Sequence, residues 1–310
     1  MDFSEIKTIS IKDRRHKVRF SHLGSIPKGD SFAGFFDSLP RILGSEDLHL
    51  TARAIAAASL QKREVILAMG AHPIKCGLSP LIINLMEQGI LTGVALNGAG
   101  SIHDFEMAFI GETSEDVAQT LVDGSFGMVE ETGKILNQAM AEGCMENHGA
   151  GESIGRHILN SKYPHTNISI QAAGVRLGID VTVHIAIGTD TIHVHPDADG
   201  AVLGKATHLD FMKYAGHISK LEKGVYINLG SAVVLPEVFL KALSAVRNMG
   251  YDVLKFTAVN MDMIRHYRPS ENVLRRPELT GAQAINLTGQ HEIMLPLLTA
   301  AIMVEKGRQR

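Results

Sequence analysis

Two short apolar segments, EVILAMG at residues 64–70 and GVALNGAG at residues 93–100, decide the fold of this 310-residue chain. An apolar run that is this short and stops at glycine is typical of a strand buried on both faces of a parallel sheet. Segments that favour helix, such as the alanine-rich residues 51–62, alternate with these runs. The pattern predicts an α/β fold with a doubly wound, mostly parallel six-stranded sheet. The predicted strands cover residues 64–70, 93–97, 181–188, 225–229, 253–259 and 282–288, and the predicted helices include 77–88, 103–110, 149–159, 168–177 and 291–306.

The sequence divides into an N-terminal arm and one large domain. Residues 1–50 hold a basic cluster at 14–19 and a stretch rich in glycine, serine and proline. We expect this arm to wrap the core or a partner subunit, and a solvated tail is the alternative. Residues 51–310 are expected to form a single α/β domain with a helical insertion at about 112–165.

Composition excludes several classes of function. Hydrophobic residues make up 45% of the chain, so it can bury a core, and the net charge of −3 offers no basic footprint for nucleic acid. The longest apolar stretch, residues 293–304, contains Pro296 and is too short to span a bilayer. Two cysteines cannot form a disulfide framework, and residues 1–17 lack the apolar core of a signal peptide. We therefore expect a cytoplasmic protein that acts on a small molecule.

Every predicted strand ends in small or polar residues. The first two strands run into GAHPIKCG at residues 70–77 and NGAGSIHDFE at residues 97–106. Small residues let the backbone approach a ligand, and the N–H groups of a following helix attract anions. Each turn alone could equally be a tight connection between strand and helix. Their repetition along one sheet edge, where ligands bind in doubly wound sheets, favours a phosphate-bearing ligand.

Two further segments could carry chemistry. In IGTDTIHVHPDADG, residues 187–200, His193 and His195 alternate, so an extended chain would direct both to one side. They could hold a metal, although no third ligand is fixed, or belong to a polar loop that bonds a substrate or a neighbouring subunit. Four arginines between residues 265 and 276 could form an anion clamp or a solvated loop.

Taken in order, the strand ends resemble those of deoxyhypusine synthase over about residues 60–305. That family consists of NAD-dependent transferases with a doubly wound fold, which oxidise spermidine and pass its aminobutyl group to a protein lysine through an enzyme-lysine imine. The resemblance implies a fold of the deoxyhypusine synthase-like NAD-binding type. It also implies a homotetramer whose active sites lie between subunits.

The cofactor half of the family's site has counterparts in this chain. Residues 70–80 resemble the first cofactor turn, 97–100 the TAGG turn and 229–232 the LGGG turn. Thr189 and Asp190 are similar to the family's TDGS segment, and its ADAS segment falls near 289–292. The residues that the resemblance assigns to NAD are His72, Asn97, Gly98, Ala99, Gly100, Asp104, Asp190, Gly230, Ser231, Thr257 and Ala258.

The substrate half departs from the family. No lysine stands near residues 275–277, where the imine-forming lysine should fall, and the catalytic histidine falls near Pro236. Acidic residues that hold the polyamine fall near Ile102, His103 and His195. This reversal of charge predicts a neutral or anionic substrate, or a metal, and a protein that is not a deoxyhypusine synthase.

We therefore expect an NAD-dependent enzyme that performs redox or redox-triggered transfer chemistry on a small non-polyamine substrate. Arg268 and Arg276 are expected to bind an anionic group, and histidines are expected to act as general acids or bases. The alternatives are a metal-dependent hydrolase or lyase and a nucleotide-binding sensor. The residues expected to face the substrate are His103, His193, His195, Glu271 and His291.

Overall fold

Six parallel strands form one sheet at the centre of the computed structural model, which describes residues 1–309. Their order is β3-β2-β1-β4-β5-β6, so the chain reverses its direction of winding between β1 and β4. The predicted doubly wound α/β fold is confirmed. The strands are β1 (Val65–Met69), β2 (Gly93–Asn97), β3 (Asp180–His184), β4 (Val225–Leu229), β5 (Thr257–Asp262) and β6 (Gln283–Thr288).

Helices cover both faces of this sheet. A π-helix spans Pro269–Arg275, and short 3-10 helices span Ile11–Asp13, Phe20–His22, Thr166–Ile168 and Thr191–Val194. The α-helices are α1 (Phe32–Ser38), α2 (Leu43–Leu60), α3 (His72–Lys75), α4 (Ser79–Glu87), α5 (Gly98–Ile110), α6 (Val117–Thr120), α7 (Glu130–Met145), α8 (Ala150–Ser161), α9 (Ile170–Leu177), α10 (Gly200–Ile218), α11 (Val234–Asn248), α12 (Arg276–Glu278) and α13 (His291–Gln309).

The core consists of two apolar layers, one on each face of the sheet. Leu67 and Met69 of β1 pack on the face covered by α2, α4, α5 and α13. Ile66 and Ala68 pack on the other face, with α11 and the last turns of α10. Successive residues of a strand point to opposite faces, so a strand buried on both sides needs an unbroken apolar run. All five residues of β1 are buried, as the sequence of that segment predicts.

The predicted bounds of the fifth strand were wrong. The strand begins at Thr257 rather than at residue 253, and it continues through the polar residues Asn260 and Asp262. The residues before it form a loop, in which the Glu222 carboxylate accepts the N–H groups of Leu254 and Lys255. Thr257 therefore lies at the amino end of β5, beside Val225 of β4.

Three asparagines explain why polar residues can continue that strand. Asn228, Asn260 and Asn286 are register partners on β4, β5 and β6. The amide of Asn228 donates to Asn260 Oδ1 at 2.9 Å, and the amide of Asn260 donates to Asn286 Oδ1 at 3.0 Å. We call this row the asparagine ladder. It pairs the side-chain amides of three strands inside the sheet and leaves only Asn228 Oδ1 of the ladder buried without a partner.

Other elements begin or end at earlier residues than the sequence suggests. The α5 helix starts at Gly98 instead of residue 103, because the side chain of Asn97 accepts the N–H of Gly100 and caps the first turn. The α2 helix starts at Leu43, inside the segment expected to be an arm. The predicted third strand ends at His184 instead of residue 188. Residues 1–31 carry only two 3-10 turns, and their large apolar side chains are exposed.

No helix among residues 1–309 is both long enough and apolar enough to cross a membrane.

Candidate functional site

The carboxyl ends of β1 and β4 approach each other at two glycines. A Cβ atom on Gly70 would lie 2.4 Å from the carbonyl oxygen of Gly230, and Gly230 has a φ of +62°. A Cβ atom on Gly230 would lie 2.7 Å from the ring of His291. Gly70 therefore requires glycine for close packing, and Gly230 requires it for both close packing and backbone conformation. This is also the point at which winding reverses, where doubly wound sheets bind ligands.

A buried histidine stands over this point. The side chain of His291 is 1% exposed, and its Nε2 lies 3.6 Å from Oδ1 of Asp262 at the end of β5. Neither ring nitrogen has a partner with hydrogen-bond geometry within residues 1–309, although the backbone of Met261 is close enough to raise the pKa of the ring. Burial lowers the pKa of His291, although the Asp262 carboxylate acts in the opposite direction. The ring of His72, whose centroid is 5.4 Å away, also lowers the pKa. These opposing effects leave a neutral, unpaired imidazole at the sheet edge.

A second His–Asp pair lies beside the first turn of α5. His193 Nε2 is 3.7 Å from Asp190 Oδ2, and both side chains are almost completely buried. The Nδ1 atom of His193 accepts the N–H groups of Gly188 at 3.1 Å and Asp190 at 3.3 Å. A ring nitrogen that accepts hydrogen bonds carries no proton, so Nε2 carries it and faces Asp190. Burial raises the pKa of Asp190, and the neighbouring His193 partly opposes this.

Asp190 occupies the N-terminus of α5. Its carboxylate accepts the backbone N–H of Ala99, and a Cβ atom on Gly98 would lie 2.0 Å from Asp190 Oδ2. This is the position that the phosphate of a bound nucleotide takes in many α/β proteins. A carboxylate already supplies the negative charge here. The expectation that the turn at residues 97–100 cradles a phosphate is therefore not supported by the contacts.

A cavity of about 650 Å³ opens beside α5, between that helix, the loop at 189–191 and the segment 112–132. Its lining includes Phe109 and Phe126. Five carboxyl groups face two basic side chains, which gives an excess of negative charge. The charged lining residues are Glu106, Glu112, Glu115, Glu131, Asp190, Lys75 and His103.

The charge of the cavity bears on the expected substrate. A neutral or anionic molecule would gain nothing from five carboxyl groups, whereas a cationic group would pair with them. The lining therefore does not support the expectation of a neutral or anionic substrate. That expectation compared the positions of Ile102, His103 and His195 with the family pattern and took the nearby arginines into account. The glutamates of the segment after α5 have no counterpart in that comparison.

His103 is held at the cavity wall by a chain of hydrogen bonds. Its Nδ1 lies 2.6 Å from Thr113 Oγ1, and Thr113 donates to Glu106 Oε2 at 2.5 Å. Thr132 donates to the other oxygen of Glu106 at 3.1 Å. Burial alone would raise the pKa of Glu106, but the nearby His103 ring and the hydroxyls of Thr113 and Thr132 outweigh it and lower that pKa. Glu106 is therefore an ionised acceptor.

Several predicted site residues lie elsewhere. Asp104 is buried and accepts hydrogen bonds from Ser169 and from the N–H groups of Ile170 and Gln171, so it caps α9. Burial raises its pKa to about 6 despite these bonds. Thr257 and Ala258 are the first two residues of β5, so they lie toward the amino edge of the sheet, roughly 17 Å and 13 Å from the carboxyl end of that strand. The assignment of these three residues to a cofactor is corrected.

His195 does not share a site with His193. Residues Thr191–Val194 form a 3-10 helix, so the segment is not extended as the sequence pattern assumed. The ring of His195 packs against α7, where a Cβ atom on Gly133 would lie 2.2 Å from it. Among residues 1–309, no group of three or more histidine, cysteine, aspartate or glutamate side chains could hold a metal ion.

The arginine segment forms ion pairs and amide bonds instead of an open anion clamp. Arg268 donates to Glu237 of α11 at 3.2 Å, and Arg276 donates to the side chain of Asn272. Glu271 pairs with Arg275 through two short contacts on the π-helix. None of these side chains lines the cavity. The predicted roles of Arg268, Arg276 and Glu271 in substrate binding and catalysis are not supported.

Ser231 has a local role as well, because its hydroxyl accepts the N–H of Leu235 in the first turn of α11. Sequence reasoning missed Asp262, Glu106 and Thr113. Asp262 was missed because the predicted fifth strand ended at residue 259, before it. A signal for Glu106 existed, since it follows His103 by three residues on one helix face.

The contacts allow a test of whether these residues fit NAD. Gly70, Gly98 and Gly230 are positions at the carboxyl edge where the space for a Cβ atom is occupied. Buried polar atoms without hydrogen-bond partners lie next to Gly98 and Gly230. Asp190 offers a carboxylate at this edge, which is the kind of group that accepts ribose hydroxyls in dinucleotide-binding folds. The N-terminus of α5 is already engaged and does not suit a phosphate. The residues fit a nucleotide through its ribose at Asp190 rather than through phosphates on α5.

No protein-family model and no curated sequence matches the chain. Solved structures share its fold at low identity. A conserved candidate LOR/SDH protein from Methanococcus maripaludis S2 aligns with a TM-score of 0.54 and 13% identity, over 96% of this chain and 75% of that one. The ternary complex of AgrE with ornithine and NAD+ aligns with a TM-score of 0.53 and 15% identity, over 86% of this chain and 35% of AgrE. A candidate deoxyhypusine synthase from Entamoeba histolytica aligns with a TM-score of 0.48 and 12% identity, over 88% of this chain and 93% of that one.

These similarities concern the fold. The chain spans only about a third of AgrE, so what that protein binds as a whole is a property of AgrE.

Proposed function

We propose that the protein is an enzyme that binds NAD across the carboxyl edge of the sheet. Its reaction is a redox or redox-triggered transfer on a small molecule in the cavity beside α5. One observation carries the proposal: buried polar atoms without hydrogen-bond partners lie beside Gly98, which follows β2, and Gly230, which follows β4, namely Asp190 Oδ2 with its neighbour His193 Nε2, and both ring nitrogens of His291. Each such atom costs roughly 1–3 kcal/mol. A ligand that pairs with them explains why they are kept.

NAD, when bound, supplies an acceptor for a hydride. Asp190 accepts the ribose hydroxyls, and the neutral ring of His291 offers one donor and one acceptor at the end of β4. A fold neighbour, AgrE, was crystallised with NAD+ and ornithine, which supports the proposal by analogy.

We propose that the substrate carries a cationic group. The glutamates of the cavity wall bind and orient it, since charge-assisted hydrogen bonds are about twice as strong as neutral ones. Phe109 and Phe126 exclude water from the apolar part of the molecule. The absence of lysine at 275–277 still separates this protein from deoxyhypusine synthase.

We also propose a homotetramer with sites between subunits. Apolar side chains are exposed at the carboxyl edge, including Val233, Ile264 and Ile293, and in the arm, including Phe3 and Phe20. A second copy that covers them would close the site. Size-exclusion chromatography with light scattering should give four times the chain mass, and a monomer would contradict this proposal.

Calorimetric titration with NAD tests the main proposal. We expect micromolar binding by the purified protein and at least about tenfold weaker binding by Asp190→Ala, because a hydrogen bond to a charged group is worth about 1.5–3 kcal/mol. Glu271→Gln is the matched control, since Glu271 pairs with Arg275 away from the cavity. Absence of binding by the wild-type protein would overturn the proposal. Tight binding without turnover of any amine-bearing substrate would favour the sensor alternative.

A further inference from the structure

The hydrogen-bond chain at His103 fixes the position of its protons. Thr113 has a single hydroxyl hydrogen, and its oxygen lies 2.5 Å from Glu106 Oε2 and 2.6 Å from His103 Nδ1. An ionised carboxylate can only accept, so the hydroxyl hydrogen goes to Glu106. The Thr113 oxygen must then accept, and the donor is the Nδ1–H group of His103.

Glu106 is itself held in place. Thr132 donates to its second oxygen, and its side chain is only 20% exposed. His103 and Glu106 lie three residues apart on α5, with Nδ1 3.8 Å from Oε2, which is too far for a direct hydrogen bond. Thr113, from the loop after α5, fills that gap. The carboxylate acts on the ring through the hydroxyl.

We propose that Glu106 and Thr113 are positioning residues that hold His103 in the Nδ1–H tautomer, so that its Nε2 is a proton acceptor at the cavity wall. The partner of one ring nitrogen decides which nitrogen carries the proton. Nδ1 is bonded to Thr113, and Nε2 has no hydrogen-bond partner within residues 1–309. His103 lines the cavity, so this nitrogen is the one available to a substrate.

A nearby histidine has the opposite arrangement. Nδ1 of His193 accepts the N–H groups of Gly188 and Asp190, so His193 carries its proton on Nε2. This contrast provides an internal reference, because two histidines of one protein should show two different protonation patterns in the same sample.

The role in catalysis rests on the proposed function, whereas the tautomer does not. In the reaction, His103 Nε2 takes a proton from a substrate N–H or O–H group. That bond breaks, a new N–H bond forms on the ring, and the electron pair stays on the substrate atom. The ring becomes an imidazolium, whose charge is stabilised by Glu106 through Thr113. The proton transfer itself needs no oxidant.

Nitrogen-15 NMR of the imidazole rings in the ligand-free full chain tests the tautomer. The His103 signals are assigned by their loss in His103→Gln. We expect the neutral rings to carry a protonated Nδ1 on His103 and a protonated Nε2 on His193. A protonated Nε2 on His103 in the wild-type protein would overturn the inference without any variant.

Variants show whether the hydroxyl and the carboxylate cause this state. Thr113→Val removes the link and should shift His103 toward the Nε2–H tautomer, while Thr113→Ser keeps a hydroxyl and should restore Nδ1–H. Glu106→Ala frees the Thr113 hydroxyl to donate to Nδ1 and should also reverse the tautomer. Unchanged His103 signals in Thr113→Val would contradict the inference. If that variant does not fold, the spectra of the wild-type protein and of Thr113→Ser decide.

The two proposals can fail separately. Failure of NAD to bind, with Nδ1–H on His103, would overturn the proposed function and leave the tautomer standing. Binding of NAD with Nε2–H on His103 would support the proposed function and overturn the inference about the tautomer.

Discussion

Gly98 and Asp190 are in such close contact that only glycine fits at the first position of α5. A Cβ atom on Gly98 would lie 2.0 Å from the Asp190 carboxylate, which also accepts the N–H of Ala99. The glycine of this turn therefore serves a carboxylate of the chain itself. A glycine-rich turn at a strand end can thus be required without any phosphate.

Replacement of this glycine should be costly. Gly98→Ala should lower the free energy of unfolding by about 2 kcal/mol, because the methyl group displaces Asp190. Gly204→Ala is the control, since a Cβ atom there meets nothing within 4 Å in α10. That change should raise stability by about 0.5–1 kcal/mol. Urea unfolding of both variants measures the difference, and equal stability of the two would contradict the contact.

Asp104 should prove structural. Asp104→Ala leaves the N–H groups of Ile170 and Gln171 without their acceptor at the start of α9. We expect a loss of about 3 kcal/mol in stability, from the lost cap and the unpaired donors. NAD affinity, measured by calorimetry below the unfolding transition, should stay unchanged. Weaker NAD binding without loss of stability would restore the cofactor role that the family resemblance implies.

Replacement of His291 should raise the stability of the protein and abolish NAD binding. His291→Leu removes two unpaired buried nitrogens and should stabilise the ligand-free protein by about 1 kcal/mol, while NAD binding is lost. His49 offers a matched control, because both its ring nitrogens are also buried and unpaired, beneath Phe36 of α1. His49→Leu should stabilise the fold and leave NAD binding intact. Equal effects of both variants on binding would argue against a ligand at His291.

His217 should make stability depend on pH at the opposite edge of the sheet. Burial disfavours its charged form, but Asp180 and Glu64, each 3.1 Å from a ring nitrogen, outweigh burial and raise the pKa of His217 to about 9. The folded-state pKa lies above the unfolded value. The stabilisation, roughly 3 kcal/mol, is thus complete below pH 6.5 and is lost as pH rises to 9.

Urea unfolding at pH 6 and pH 9.5 checks this expectation. The wild-type protein should lose stability between the two values, and His217→Gln should lose much less. Lys213, which pairs with Glu152 and lies 3.7 Å from Asp180, stays charged over this range, because its ion pairs outweigh burial and raise its pKa. If the stabilities of the wild-type protein and of His217→Gln changed in parallel with pH, the ion pairs of His217 with Asp180 and Glu64 would be contradicted.

The sequence predicted the sheet because buried parallel strands need continuous apolar runs. Residues 93–97 and 225–229 were identified with the bounds that the structure shows. The fifth strand was misplaced, because its polar residues pair sideways with Asn228 and Asn286, and such pairing between strands leaves no local pattern. The misplacement hid Asp262, whereas Thr257 was assigned to the site by the family resemblance.

The site itself was predictable only in part. Sequence order indicated the sheet edge and the places of His103, Asp190 and His291. It did not show that Asp190 would turn back onto α5. Nor did it show that residues 112–132 would close an acidic cavity, because these contacts join segments far apart in the chain.

The asparagine ladder has a consequence for the history of this gene. Loss of one amide leaves its neighbours unpaired inside the sheet, so a single substitution at Asn228, Asn260 or Asn286 is penalised even when the new side chain is well suited to a strand. Apolar replacements become tolerable only when neighbouring rungs change as well. Across diverged copies of the gene, these three sites are expected to change together, as correlated substitutions, while adjacent apolar sites drift independently.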